Sequence, residues 1–303
     1  MNRLEVWAPD GLPEVAEGDD LAAMVASATD LRDGDVVVVT SKVVSKAEGL
    51  VRPGDRDEAL EAETTRVVAR RGPTRVVRNR LGLTMAAAGI DASNVPAGTI
   101  ALLPRDPDGS ARRLRSDLLR RTGANVGVVL TDTAGRAWRR GQTDIAIGAA
   151  GLHVVEDHRG RTDPHGHDLR VTLPAVADEI AAAAELVQGK LAGRPVAVVR
   201  GRSDLVLPAD VAGEGATALI RPEGEDLFGF GAREAVVRSL AGEASDRAPF
   251  GATAPATELA EAMARVPLDR VAVAAVCFAH GWSLESWSDD GTHAVAQVSP
   301  AGP

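Results

Sequence analysis

The stretch VVVVTSKVVSKAEG, residues 36–49, decides the fold class. Val36–Val39 is an unbroken β-branched run with no polar alternation, which predicts a strand buried on both faces. Both faces are covered only when other elements lie above and below. A mixed α/β architecture follows, α+β in its connections. Thr40, Ser41, Lys42, Ser45 and Lys46 come directly after the run. Polar groups at the carboxyl end of an α/β strand are where ligands bind, and hydroxyl and ammonium groups suit phosphate oxygens. The competing reading is a helix or loop cap with solvated lysines.

Similar runs at Val126–Leu130, Val196–Val199 and Val271–Val276 predict further strands. Between them, alanine-rich segments with helical spacing predict helices at Leu21–Ala28, Glu58–Ala69, Ala111–Arg121 and Ala175–Val187. Gly189 and Pro195 follow the last of these where a helix end belongs. Arg159–Asp168 (RGRTDPHGHD) reads as a polar turn cluster or hairpin loop. The sequence loosens at Ser245–Pro255 (SDRAPFGATAP), which predicts a main domain over 1–245 and a short C-terminal α/β appendage over 246–303. In that appendage the pattern predicts a helix near Ala256–Arg265 and a strand near Val271–Phe278. A hairpin pairing Ser283–Trp287 with His293–Val298 follows, around Asp289-Asp-Gly291.

The chain has 303 residues, 45% of them hydrophobic, enough for a full core. It contains no eighteen-residue apolar run, so no membrane-spanning helix is expected. The opening MNRLEVWAPDG lacks a basic end followed by an apolar stretch, so no secretory leader is expected either. Cys277 is the only cysteine, which excludes an internal disulfide and a cysteine-rich zinc site and fits a cytoplasmic setting. It lies in an apolar run and reads as core. The balance of 34 basic against 43 acidic residues, net −9, opposes a general nucleic-acid binder. A negative protein acting on an anionic substrate needs local basic groups or metal ions against its own field. No G-x-x-x-x-G-K-[ST] or G-x-S-x-G motif is present. Gly213–Ala218 (GEGATA) matches G-x-G-x-x-A but lies well beyond the nearest predicted strand, which opposes a dinucleotide site.

Two further segments carry candidate chemistry. In GIDASN, residues 89–94, Asp91 and Asn94 offer oxygens to a hard cation such as Mg²⁺ or Mn²⁺, or form an Asx-turn. In VGVVLTDTAGRAWRRGQTD, residues 126–144, a strand delivers Thr131, Asp132 and Thr133 into a turn carrying Arg136, Arg139 and Arg140. An acid beside a hydroxyl suits a metal, and arginines suit phosphate or carboxylate. Arg112, Arg113, Arg115, Arg120 and Arg121 on the Ala111–Arg121 helix read as a solvated face. His165 and His167 lack an evident third metal ligand.

Taken in order, GLPEV, GDDL, VVVVTSKVVSKAEG, AAAGIDASN, LPRDPDGSARRLR, TDTAGRAWRRGQTDIAIGAAGL, TLPAVADEIAAAAELVQGK and PVAVVRG resemble the coenzyme F420-0:L-glutamate ligase family, the γ-glutamyl ligases of F420 biosynthesis, over roughly residues 4–240. The resemblance implies a two-lobed α/β ligase acting as a homodimer. It implies GTP-dependent joining of L-glutamate to coenzyme F420-0, then extension through γ-linkages. It also implies two Mg²⁺ or Mn²⁺ ions per site, assisted by K⁺. By motif position, the guanine-nucleotide contacts fall on Leu12, Pro13, Glu14, Val15, Ser41, Lys42, Lys46 and Asn94. They continue over the segment 188–195, including Gln188, Gly189 and Lys190. The metal ligands fall on Asp91, Asp132 and Thr133. On charge grounds Asp91, Asp132, Lys42 and Arg136 are the expected catalytic set, the acids anchoring metal ions and the bases offsetting the repulsion between anions. A further metal position of the family, usually Gln or Glu in its archaeal members, falls on Lys190; a protonated lysine ligates no metal, so the second ion is expected to be held differently here, or mainly by phosphates and water. Residues 246–303 are too few for the flavin-binding nitroreductase-like domain of actinobacterial relatives, so no FMN is expected. A ligase on the same scaffold with another acid or amine is the rival reading.

Overall fold

A computed structural model describes residues 3–92, 95–222, 225–226, 228–290 and 294–301. Two compact units divide the chain: Met1–Arg66 with Val77–Ile220, and Val67–Val76 with Arg221–Pro303. The first unit contains, in chain order, β1 (Glu5–Trp7), α1 (Leu21–Ala28), β2 (Val36–Thr40), α2 (Ser41–Ala47), β3 (Val51–Pro53) and α3 (Arg56–Glu63). Strands β4 (Thr64–Arg71) and β5 (Thr74–Asn79) form a hairpin whose tip counts with the second unit. Then come β6 (Thr84–Ala86), β7 (Thr99–Ala101), α4 (Pro107–Thr122), β8 (Gly127–Gly135), β9 (Gln142–Ala150), α5 (Val176–Gln188) and β10 (Val196–Arg200).

The central sheet has five strands in the order β1-β10-β2-β8-β9. Strands β2 and β8 run parallel, with Val39 opposite Leu130 and Thr40 opposite Thr131; the other neighbours are antiparallel. The valine run divides as the pleat requires. Val37 and Val39 pack with Val25 of α1 and with Leu114 and Leu118 of α4. Val36 and Val38 pack on the opposite face with Ala177, Ile180 and Ala184 of α5. Each such valine contributes about 1.5–3 kcal/mol by leaving water. A three-layer arrangement explains why no polar residue interrupts the run.

The helix ends follow from local chemistry. Asp20 caps α1 by accepting from Ala23 N, and Asp106 caps α4 by accepting from Gly109 N, with Pro107 in the first turn. Gly123 ends α4 in the left-handed region. The predicted helix over Glu58–Ala69 stops early. Its second half, TTRVVARR, is strand β4, because Thr64, Thr65, Val67 and Val68 restore β-branched character after α3.

Arg115 departs from the solvated-face reading of α4. It is buried and donates to the carbonyls of Val126, Leu207, Pro208 and Val211 and to Asn125 Oδ1, at 2.7–3.0 Å. Its neighbours Arg112, Arg113, Arg120 and Arg121 are exposed and pair with Asp106, Glu48, Asp117 and Asp20.

The GEGATA segment also has a structural role. Asp108, buried in α4, accepts from Ala149 N, Ala216 N, Thr217 N and Thr217 Oγ1. Gly215 has φ +79°, and a Cβ there would lie 2.4 Å from Asp108 Oδ2. Gly215→Ala is therefore expected to cost about 2–4 kcal/mol, from left-handed strain plus displacement of a carboxylate held by four bonds. Denaturant unfolding reads this directly. A loss below 1 kcal/mol would show that the carboxylate gives way freely.

The second unit holds α6 (Ala232–Ala241), α7 (Ala256–Met263), α8 (Arg270–Ala279) and the hairpin β11 (Trp282–Asp289) with β12 (Ala294–Pro300). The expected boundary at 245/246 falls inside this unit, after α6. The expected hairpin forms, while Gly291 and His293 lie outside the described residues. The predicted strand at Val271–Phe278 is instead α8. Asp269 caps it by accepting from Val271 N and Ala272 N, and Val273 and Cys277, one turn apart, face the core. That core also contains Leu259, Trp282 and Trp287. Cys277 is fully buried, as core placement required, and burial pushes its thiol pKa up.

Candidate active site

The parallel pair β2/β8 sets the site. Their pairing ends in two hydroxyls, Thr40 opposite Thr131, beyond which the chain delivers Ser41 and Lys42 in α2 and Asp132 and Thr133 in the rest of β8. A third piece enters between β6 and β7. There Ala87 and Ala88 take φ +53° and +56°, a left-handed conformation costing roughly 1–2 kcal/mol per non-glycine residue. Buried Asn79 supports the turn by donating to Ala88 O and accepting from Leu81 N and Leu83 N. Asp91 is then pinned to β7 through Asp91 N to Ala101 O and Ala101 N to Asp91 O, at 3.1 and 2.8 Å. A fourth piece is the end of α5, where Gly189 closes the helix.

These pieces line one cleft of about 340 Å³ in the first unit. Leu12, Pro13, Glu14, Val15, Ser41 and Lys42 line it. So do Lys46, Asp91, Asp132, Thr133, Gln188, Gly189 and Lys190. Asn94 lies outside the described residues. Arg136 does not line the cleft. It sits in the exposed β8–β9 turn and donates to Arg140 O at 3.3 Å.

Charges alternate across the cleft. Lys42 Nζ lies 2.5 Å from Asp91 Oδ2, and Lys46 pairs with Glu14. Burial raises the Asp132 pKa to about 7. A hydrogen bond from Thr133 N opposes that rise, Asp144 and Asp91 add to it, and Lys190 opposes it. Lys190 Nζ lies 3.5 Å from Thr133 Oγ1.

Two acids absent from the expected set belong here, Asp144 and Glu185. Asp144 is buried and stands opposite Thr133 in the β8/β9 register. It accepts from Thr131 Oγ1 at 3.0 Å and Thr133 Oγ1 at 2.8 Å. With its proton committed to Asp144, the Thr133 hydroxyl presents lone pairs to any cation. The Glu185 pKa is raised by burial and by Asp144. Gln188 is buried, and its Oε1 and Nε2 have no hydrogen-bond partner among the described residues. A buried amide left unsatisfied costs about 1–3 kcal/mol, so a water, an ion or a ligand group is expected to complete it.

The donor set fits a hard divalent cation. Asp91, Asp132 and Thr133 supply oxygen ligands, and the raised pKa of Asp132 marks a carboxylate short of positive charge. Among the described residues no three His, Cys, Asp or Glu side chains come together closely enough to hold a metal alone. The remaining ligands would be substrate oxygens and water, as Mg²⁺ sites commonly use.

Opposed carboxylates and ammonium groups, gathered at the carboxyl ends of parallel strands, define an α/β enzyme of charged substrates. A sequence profile of the F420-0:Gamma-glutamyl ligase family matches residues 11–201. The Coenzyme F420:L-glutamate ligase of Archaeoglobus fulgidus is 43% identical over 247 residues, covering 75% of this chain and 96% of that protein. The enzymes of that name from Halobacterium salinarum and Natronomonas pharaonis are 44% and 42% identical over 223 residues each. Both alignments cover 65% of this chain, with 87% and 86% of those proteins. The chain belongs to the F420-0:gamma-glutamyl ligase family and is a ligase. No helix among the described residues is long and apolar enough to cross a membrane.

Proposed function

We propose that this chain joins the amino group of L-glutamate to the terminal carboxylate of coenzyme F420-0, with GTP as the activating nucleotide. The observation that carries the reading is the convergence of Asp91 and Asp132 on one cleft with Lys42, Lys46 and Lys190. The names of the relatives supply the substrates.

A carboxylate is a poor acylating agent. Transfer of the γ-phosphoryl group to one carboxylate oxygen would give an acyl phosphate and GDP. Attack by the neutral glutamate amine on the acyl carbon would form the amide and expel phosphate. Both steps bring anions together. Lys42 and Lys46 face the cleft and offset phosphate charge, while Arg136 lies on the exposed β8–β9 turn outside the cleft lining. Asp91, Asp132 and Thr133 would hold Mg²⁺ or Mn²⁺, which when bound supplies positive charge to the triphosphate. Asp144 keeps the Thr133 hydroxyl turned as an acceptor.

Purified protein incubated with GTP, Mn²⁺, L-glutamate and F420-0 is expected to yield F420 species heavier by whole glutamyl residues, with GDP formed in step. Mass spectrometry reads the product, and its mass counts the residues added. GTP turnover indifferent to F420-0, or ligation only to another acid, would overturn the assignment. Hydroxylamine in place of glutamate is expected to trap a hydroxamate, and its absence would remove the acyl phosphate.

A further inference from the structure

We propose that Lys190 is a built-in cation that takes the place of a second metal ion, so that the cleft holds one divalent ion rather than two. The inference rests on the metal-assisted reading above and deepens it. Glu14, Asp91, Asp132, Asp144 and Glu185 all line the cleft. Five carboxylates in one cleft repel one another and any triphosphate, so countercharge has to come from somewhere.

Four cations line the cleft: Lys46 pairs with Glu14 and Arg194 with Asp10, which leaves Lys42 and Lys190 beside the remaining acids. On one side Lys42 lies against Asp91 at 2.5 Å. On the other, Lys190 Nζ reaches Thr133 Oγ1 at 3.5 Å and acts electrostatically on both Asp132 and Glu185. The Thr133 hydroxyl donates to Asp144 and so faces the ammonium as an acceptor. Lys190 thus stands beside the Thr133 hydroxyl, in the field of Asp132 and Glu185, in the kind of oxygen-rich setting a second hard cation would need. An ammonium group carries positive charge on three donors and offers no lone pair, so it excludes a metal ion while doing part of its electrostatic work. Gln188, two residues earlier, keeps a buried carboxamide with no partner, which marks this end of α5 as a ligand-facing position and not a solvated helix end.

Mn²⁺ binding tests this without reference to turnover. Purified protein is titrated with Mn²⁺, alone and with a non-hydrolysable GTP analogue, while electron paramagnetic resonance counts the bound ion. Wild type is expected to bind one Mn²⁺ per chain with the six-line spectrum of an isolated ion. Lys190→Gln is expected to bind two, with the exchange-coupled spectrum of ions roughly 3.5–4 Å apart. Lys190→Ala, which removes the charge without adding a donor, is expected to admit the second ion at least tenfold more weakly than Lys190→Gln. Lys190 is exposed, so both variants should fold. Two coupled ions in wild type, or one ion in both variants, would overturn the proposal and leave the metal-assisted reading standing. No bound Mn²⁺ in any form would overturn both.

Discussion

Asp132→Asn is expected to lower ligation by about 10³-fold or more while making the metal-free protein more stable at pH 8. The two effects share one cause. Asp132 sits among Asp91, Asp144 and protein atoms that remove it from water, and its pKa is raised to about 7 against an ordinary 3.8. Between those values the folded state binds more protons than the unfolded state. Stability of the metal-free fold therefore falls as pH rises from about 4 to about 7. Asparagine carries no charge and removes that penalty, for a gain of about 2–3 kcal/mol at pH 8. It also removes an anionic ligand, and lost transition-state electrostatics of about 4 kcal/mol correspond to the fall in rate. A divalent ion held by Asp132 as proposed would have to displace the proton below pH 7, so Mn²⁺ affinity is expected to drop about tenfold per pH unit there. Calorimetric melts, initial rates and Mn²⁺ titrations over pH 5–9 check the three statements. An inactive variant that is also less stable would mean that Asp132 is structural. An active one would remove the cation from the reaction.

Much of this site was legible in the sequence because strand ends are. Val36–Val39 and Val126–Leu130 announce themselves by composition, and the polar residues that follow must then lie at the sheet's edge. Which of them meet depends on register, and there the sequence fell short. Asp144 belonged to a quoted segment but read as the tail of an arginine-rich turn. Only the pairing of Thr133 with Asp144 across β8/β9 shows it to be the acceptor for two hydroxyls. Glu185 was hidden differently. It lies one turn before Gln188, and helical spacing alone does not say that the last turn of α5 faces a cleft. Arg136 is close to Asp132 in sequence, yet it sits in the exposed β8–β9 turn and does not line the cleft. The β8–β9 turn carries it away along an extended strand, at more than 3 Å per residue.

The errors of secondary structure have one origin. Val271–Val276 and Glu58–Ala69 both mix alanine with β-branched residues, so neither period dominates and tertiary contacts decide. In α8 the Asp269 cap and the Val273–Cys277 stripe select helix. In β4 pairing with β5 selects strand. The polar residue most plainly readable in hindsight is Arg115. It follows Ala111 by four and precedes Leu118 by three, so the helical period placed it on the buried stripe and not among the solvated arginines.

That position makes Arg115→Met the substitution expected to cost most stability, about 3–5 kcal/mol. Methionine matches the length of the stem but donates nothing. The carbonyls of Val126, Leu207, Pro208 and Val211 and the Asn125 amide oxygen all lose a charged donor at once. Several of these groups are buried, and a buried acceptor left unpaired costs about 1–3 kcal/mol; water entering the exposed side recovers part of the sum. Burial lowers the pKa of Arg115 itself, with Asp210 opposing, so some desolvation cost disappears with the guanidinium. Loss of the bonds still outweighs it, because one side chain ties the start of β8 to the loop 207–211 and nothing else in that loop offers five donors. Arg113→Met on the same helix, exposed and paired only at its tip, is expected to stay within about 0.5 kcal/mol. Thermal melts should separate the two by about 6–20 °C, at 2–4 °C per kcal/mol for a domain of this size. Equal melts would mean that the loop is held by its backbone alone, through Gly151 N to Ala212 O and Leu207 N to Gly151 O.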